Sequence, residues 1–168
     1  DGIKKISKER ILSELFKILC TKNFVKLNKN KNLKEIFLLI FPEFKNLERL
    51  NQLESILHYS NFDKETLLAV LLIDEINNHE YFLHKYNVSN DLKENLNLIA
   101  ENFKDFQSNK KFFLIDLKKN IYFFGKKHLM VLNILYFSNN KKVKLKDYLD
   151  ILDSINKLNI PKFSFDGN

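Results

Sequence analysis

Apolar side chains recur along most of this chain at intervals of one, three and four, the spacing that gathers them on one face of an α-helix. Ile11, Leu12, Leu15, Phe16 and Leu19 trace such a face behind Ser7, which stands where an N-cap belongs, and predict a first helix over residues 8–20. Thr21 or Asn23 caps a brief second helix holding Phe24, Val25 and Leu27, and the Lys/Asn-rich run to Asn32 reads as a loop. A third helix is expected over residues 33–41, where Pro42 removes a backbone donor and restricts its predecessor. Leu47, Leu50, Leu53, Ile56 and Leu57 carry the period into a fourth helix of about three turns, with Glu48, Arg49, Gln52 and Glu54 mostly on its other side.

Asp63 is placed to cap the most apolar stretch, residues 67–73, whose length and context read as a buried helix at the centre of the core. Residues 74–86 are amphipathic, with Ile76, Tyr81, Phe82 and Tyr86 expected inward, and Ser89 or Asn90 opens another helix to Phe106. Past Asn109, the positions Phe112, Phe113, Ile115, Leu117, Ile121, Tyr122 and Phe124 predict an aromatic-rich helix closed by Gly125 as a left-handed cap. Helices over residues 126–137 and 145–158 follow, the last stopped by Pro161. The expected fold class is all-α, a compact multi-helix bundle of roughly nine or ten short helices with no strand and no fixed-period repeat.

Composition supports this. Only 3 Gly and 2 Pro punctuate 168 residues, too few for the tight turns of a sandwich or barrel, and 45% hydrophobic content suffices for one sizeable core. No apolar run approaches the roughly 18 residues that cross a bilayer, so the chain reads as soluble and cytoplasmic, with no membrane partner. The chain opens at Asp1, its single methionine is Met130, and it stops just past an apolar strip, as expected of a piece of a longer protein.

Candidate chemistry is sparse. Cys20 is the only cysteine, so no disulfide forms within the chain; it lies near the apolar face of the first helix, where core packing is the expected role rather than nucleophilic catalysis. The dense acidic pairs are Asp74-Glu75 and Asp147/Asp150; metal-assisted phosphoryl transfer needs converging carboxylates, whereas these read as solvated or Lys-paired. His58, His79, His84 and His128 show no metal or triad spacing and are expected mostly at the surface or its boundary. No catalytic residue and no metal ligand is assigned.

Charge is the strongest signal. The net charge is +7, yet the segment from Lys110 to Lys146 holds ten Lys against Asp116 alone, or +9, leaving 7 − 9 = −2 for the rest. Lys110 and Lys111, Lys118 and Lys119, Lys126 and Lys127, then Lys141, Lys142, Lys144 and Lys146 fall at helix starts and a turn, and a helical hairpin would align them as a stripe. Ammonium groups on flexible stems suit a phosphate backbone, where they displace counterions without reading bases. Phe112, Phe113, Tyr122 and Phe123 within the same tract either stack on unpaired bases or build the core.

Residues Ser7-Lys8-Glu9-Arg10-Ile11-Leu12-Ser13-Glu14-Leu15, running on to Leu19, resemble the S-x-E-R-I-x-x-E-L-x-K-L-L helix of bacterial tRNA nucleotidyltransferases and poly(A) polymerases. Further matches follow in order. Ile40-Phe41-Pro42-Glu43 resembles the family's L-x-P-E, Val88-Ser89-Asn90 its L-S-N, and Asn120-Ile121-Tyr122-Phe123-Phe124-Gly125 its x-L-Y-R-x-G, with Phe123 where Arg is usual. The stretch from Ile160 to Gly167 resembles the tail element P-x-F-P-L-x-G, with Ser164 replacing the second proline.

The resemblance implies neck-like helices over residues 1–60, body-like helices over 61–138 and a truncated tail-like segment over 139–168. It implies a parent enzyme that adds C, C and A, or A residues, to RNA 3′ ends with a nucleotide triphosphate and Mg²⁺. The catalytic head of that polypeptide would precede Asp1, so this chain would hold RNA, the acceptor and T arms of tRNA, without catalysing or binding a cofactor itself. Glu9, Arg10 and Glu14 would brace the neck; otherwise they only solubilise a helix. The competing reading is a helical protein-interaction module whose lysines form a solvated face.

Overall fold

The structure, a computed structural model, describes residues 6–21, 23–108 and 115–159, and among these it is all-α. Helix α1 (Lys8–Leu19) is capped by Ser7, whose hydroxyl accepts the Arg10 N–H at 3.3 Å, and it buries Leu15 and Leu19. A 3₁₀ segment, Phe24–Lys29, leads into α2 (Lys31–Ile40). The expected loop to Asn32 is two residues shorter, because the Asn30 side chain accepts the Leu33 N–H at 3.1 Å and starts the helix early. The expected fourth helix is reduced to a 3₁₀ turn, Leu47–Arg49, and the short α3 (Leu50–Glu54).

Helix α4 (Lys64–Leu72) lies at the centre as expected: every residue from Thr66 to Leu72 is buried, and the Asp63 carboxylate accepts the Thr66 N–H at 2.8 Å. Helix α5 (Asn78–Tyr86) starts after a turn in which Asp74 accepts the N–H groups of Ile76 and Asn78. That start sets a different inward face. His79, Phe82, Leu83 and Tyr86 are buried, whereas Ile76 and Tyr81, expected inward, are 69% and 61% exposed.

Helix α6 (Asn90–Ser108) precedes α7 (Leu117–Asn139) and α8 (Leu145–Lys157). Gly125 interrupts α7 with φ 79° and ψ 159°, a positive-φ conformation open to glycine alone; it lies outside the left-handed helical region expected of a cap. The segment up to Phe124 therefore takes its own direction, while the segment after Gly125 packs along α8.

One continuous core runs from Leu15 to Ile155. An aromatic cluster sits at one end of it, where Phe44 meets Phe37 at 5.3 Å and Phe82 at 5.8 Å, both edge-to-face. Beside this cluster Glu43 is buried, its carboxylate accepting the Lys85 ammonium at 3.0 and 3.2 Å while its carbonyl accepts the Asn78 side-chain amide. Burial pushes the neighbouring Tyr86 phenol up to about 12. The Pro42-Glu43 step thus fastens the chain after α2 to α5.

Arg49, expected on an outer face, is 6% exposed. Its guanidinium donates to the carbonyls of Val70 at 2.6 Å and Ile73 at 2.7 Å and to Asn139 Oδ1 at 2.6 Å, closing the C-terminus of α4 and joining it to the end of α7. The helix dipole and three acceptors offset the cost of burying this cation. Cys20, expected in the core, is exposed: it follows Leu19 at the end of α1 and falls off the Leu15/Leu19 stripe.

Candidate nucleic-acid interface

The first segment of α7 divides cleanly. Leu117, Asn120 and Ile121 are buried, Phe124 is half-buried, and Lys118, Lys119, Tyr122 and Phe123 face outward. Helical spacing places Lys118 one turn from Tyr122, and Lys119 one turn from both Tyr122 and Phe123. Tyr122 and Phe123 are 61% and 65% exposed, and their rings meet edge-to-face at 5.4 Å.

The inner side is anchored. Phe124 stacks on His128 at 5.3 Å, and the side-chain amide of Asn102 on α6 lies 2.9 Å from His128 Nε2. With that amide as donor, the ring is neutral and carries its proton on Nδ1. Burial holds the His128 pKa below its ordinary value, and burial lowers that of His79 as well. The expectation of surface histidines therefore holds for His58 and His84 and fails for these two.

A base with a depressed folded-state pKa takes up its proton more readily once unfolded, so its neutral form stabilises the fold fully above about pH 6.5 and ever less as pH falls below that. Thermal melts should accordingly show Tm falling between pH 7.5 and 5.5. His128→Gln should flatten that dependence; an unchanged slope would remove His128 from the account.

The remaining candidate lysines separate by environment. Lys126 donates to the Asn156 carbonyl at 2.9 Å, tying α7 to the last turn of α8. Lys127 pairs with Asp63 at 2.8 Å and lies 3.6 Å from Glu65, which raises its pKa and leaves it the least available to a ligand. Lys141, Lys142, Lys144 and Lys146 are all exposed around the α7–α8 turn. That turn is held by Asn140 Oδ1, which accepts the Lys142 N–H at 3.0 Å, and by Asp147, which accepts the Lys144 N–H at 3.1 Å. Lys110, Lys111, Phe112, Phe113 and the tail motif from Ile160 to Gly167 lie outside the described residues.

The exposed lysines therefore fall in two groups along the chain. Lys118 and Lys119 lie before the break at Gly125 and the turn lysines beyond the far end of the helical segment that follows it, a segment roughly 20 Å long at about 1.5 Å per residue. No ion pair engages Lys118, Lys119, Lys141, Lys142 or Lys144 among the described residues.

No family model, curated protein or solved structure matches this chain.

On α1, Glu9, Arg10 and Glu14 are exposed. A hydrogen bond and charge from Lys17, 2.8 Å away, lower the Glu14 pKa. Glu9 borders a groove of about 460 Å³ between α1 and the starts of α4 and the turn after α5, where Lys64 lies over the Phe16 ring at 4.6 Å. A second groove of about 460 Å³, lined by Ile18, Leu27, Leu33, Ile36 and Ile40, runs between α1, the first 3₁₀ segment and α2. On the same helix Leu39 is 83% exposed.

Among the described residues no three His, Cys, Asp or Glu side chains converge as metal ligands, and Asp74 and Asp147 accept backbone N–H groups. No helix among the described residues is long and apolar enough to cross a membrane.

Proposed function

We propose that this chain is an RNA-holding module that grips the phosphate backbone through the α7–α8 hairpin, within a protein of the tRNA nucleotidyltransferase and poly(A) polymerase type. The observation that carries the reading is the exposure of two groups of lysines, Lys118/Lys119 before the break at Gly125 and Lys141/Lys142/Lys144/Lys146 around the α7–α8 turn. The Lys110–Lys146 segment bears +9, and the rest of the chain −2. The ordered motif matches from Ser7 onward support the family. In this reading RNA, chiefly the acceptor and T arms of tRNA, is the partner. Nucleotide triphosphate and Mg²⁺ belong to a catalytic head elsewhere in the polypeptide, and Glu9, Arg10 and Glu14 face that head.

Two arms of charge reversal test the interface by fluorescence anisotropy on tRNA. Lys118→Glu with Lys119→Glu, and separately Lys141→Glu with Lys142→Glu, should each weaken binding about tenfold or more and reduce the slope of log affinity against log salt by roughly 1.4 to 2. These side chains are exposed, so the fold should persist by circular dichroism. Unchanged affinity in both arms would remove the hairpin from the interface.

The second reading, a helical protein-interaction module, is favoured by the apolar groove beside α2 and its exposed Leu33, Ile36 and Leu39. It takes precedence if Ile36→Asp abolishes capture of a partner protein while both lysine arms leave RNA binding untouched.

A further inference from the structure

We propose that Tyr122 and Phe123 form a stacking platform for unpaired bases, which gives the α7 patch a site for single-stranded nucleotides in addition to the lysines' hold on the phosphates of paired arms. This rests on the RNA-holding reading above and narrows it. Exposing two large rings side by side sacrifices the burial that aromatic residues normally gain, and the same turn of α7 buries Ile121 instead. The rings therefore stand mostly outside the packing of the bundle, Phe123 keeping one contact with Phe124 at 6.5 Å. They meet edge-to-face at 5.4 Å and 84°, a geometry that does not stack one ring's face on the other's.

The neighbours decide what such a surface accepts. Lys118 and Lys119 sit one helical turn before the rings, with Cβ separations of about 5–6 Å, so their flexible stems can carry ammonium groups to a phosphate beside the ring faces. A partner helix would need an unbroken apolar seam at i, i+3, i+4 and i+7. Here two of those places carry lysine. A single RNA strand presents the complementary pattern, phosphates for the lysines and unstacked bases for the rings, whereas a duplex keeps its bases inside and offers the rings nothing. Binding by stacking tolerates any base, since every base has a π face.

The test compares a single-stranded oligoadenylate with an RNA hairpin duplex of equal charge, on the full chain, by fluorescence anisotropy. Tyr122→Leu with Phe123→Leu keeps the exposed apolar bulk and removes the π faces. It should weaken oligoadenylate binding about tenfold or more, in line with roughly 5- to 150-fold per stacked base, and change duplex binding less than about twofold. Phe123→Trp on the wild-type background should hold or strengthen single-strand binding.

Equal losses on both RNAs, or none on either, overturn the platform. If Lys118→Glu with Lys119→Glu weakens both RNAs while the leucine pair weakens neither, stacking fails and phosphate binding stands. If the lysine pair also changes nothing, both fail together. Should the wild type self-associate in sedimentation and the leucine pair be monomeric, the rings are an interface between two copies and the proposal is wrong.

Discussion

Replacing Arg49 with Met is expected to lower stability by about 3 kcal/mol and Tm by roughly 6–12 °C, the range for a chain of this size. The guanidinium satisfies three acceptors at once, the buried carbonyls of Val70 and Ile73 and the amide oxygen of the exposed Asn139. Met fills much of the volume and donates to none of them, so two carbonyls at the end of α4 lose their partner away from water. Arg49→Lys should recover less than half of the loss. A single ammonium cannot reproduce the planar fork, and burial already acts against the charge, as the lowered Arg49 pKa records. Asn139→Ala removes one contact and should cost least of the three. Thermal and urea melts of the three variants check the ranking; a loss under 2 °C for Arg49→Met would show that the acceptors find other donors.

Phe44→Ala should destabilise by about 3–5 kcal/mol, because the side chain is wholly buried and its removal opens a cavity among Phe37, Phe41 and Phe82. Phe44→Leu should cost much less, retaining most of the volume while losing ring contacts worth about 0.5–1.5 kcal/mol each. A double-mutant cycle of Phe44→Leu with Phe82→Leu, read by urea midpoints at constant slope, isolates that ring pair. A coupling indistinguishable from zero would reduce the cluster to simple volume filling. The same core positions α5 through Glu43 and Lys85, so a destabilised cluster should also loosen the turn after α2.

Helix existence was legible because the signals are local. Ser7, Asp63 and Ser89 accept helical N–H groups as their sequence positions imply, and the unbroken apolar run in α4 has no solvent-facing side to present. What sequence spacing misplaced depends on contacts far along the chain. Arg49 looks like any surface arginine until residues 21, 24 and 90 positions away supply its acceptors. Ile76 and Tyr81 were assigned inward by carrying a helical period back across the Asp74 turn, which resets the register before α5 begins. Lys127 belongs by sequence with Lys126, yet Asp63 claims it across the bundle.

At the candidate interface the sequence marked the lysines and rings without saying which way either faced. Phe, Tyr and Lys alternate so closely along the first segment of α7 that apolar spacing alone admits more than one inward face. The break at Gly125 and the anchoring of Phe124 on His128 and Asn102 select the one that turns Tyr122 and Phe123 outward beside Lys118 and Lys119. Likewise, the break at Gly125 and the helical segment after it stand between Lys118/Lys119 and the turn lysines, a feature of the fold and not of the charge count.

The most direct measurement is the affinity of this chain for a tRNA lacking its terminal CCA, across a salt series, with duplex DNA of equal charge as control. The account predicts preferential tRNA binding, with log affinity falling linearly against log salt at a slope that reports several phosphate contacts. Equal and weak binding of both nucleic acids, with a slope near zero, would contradict it.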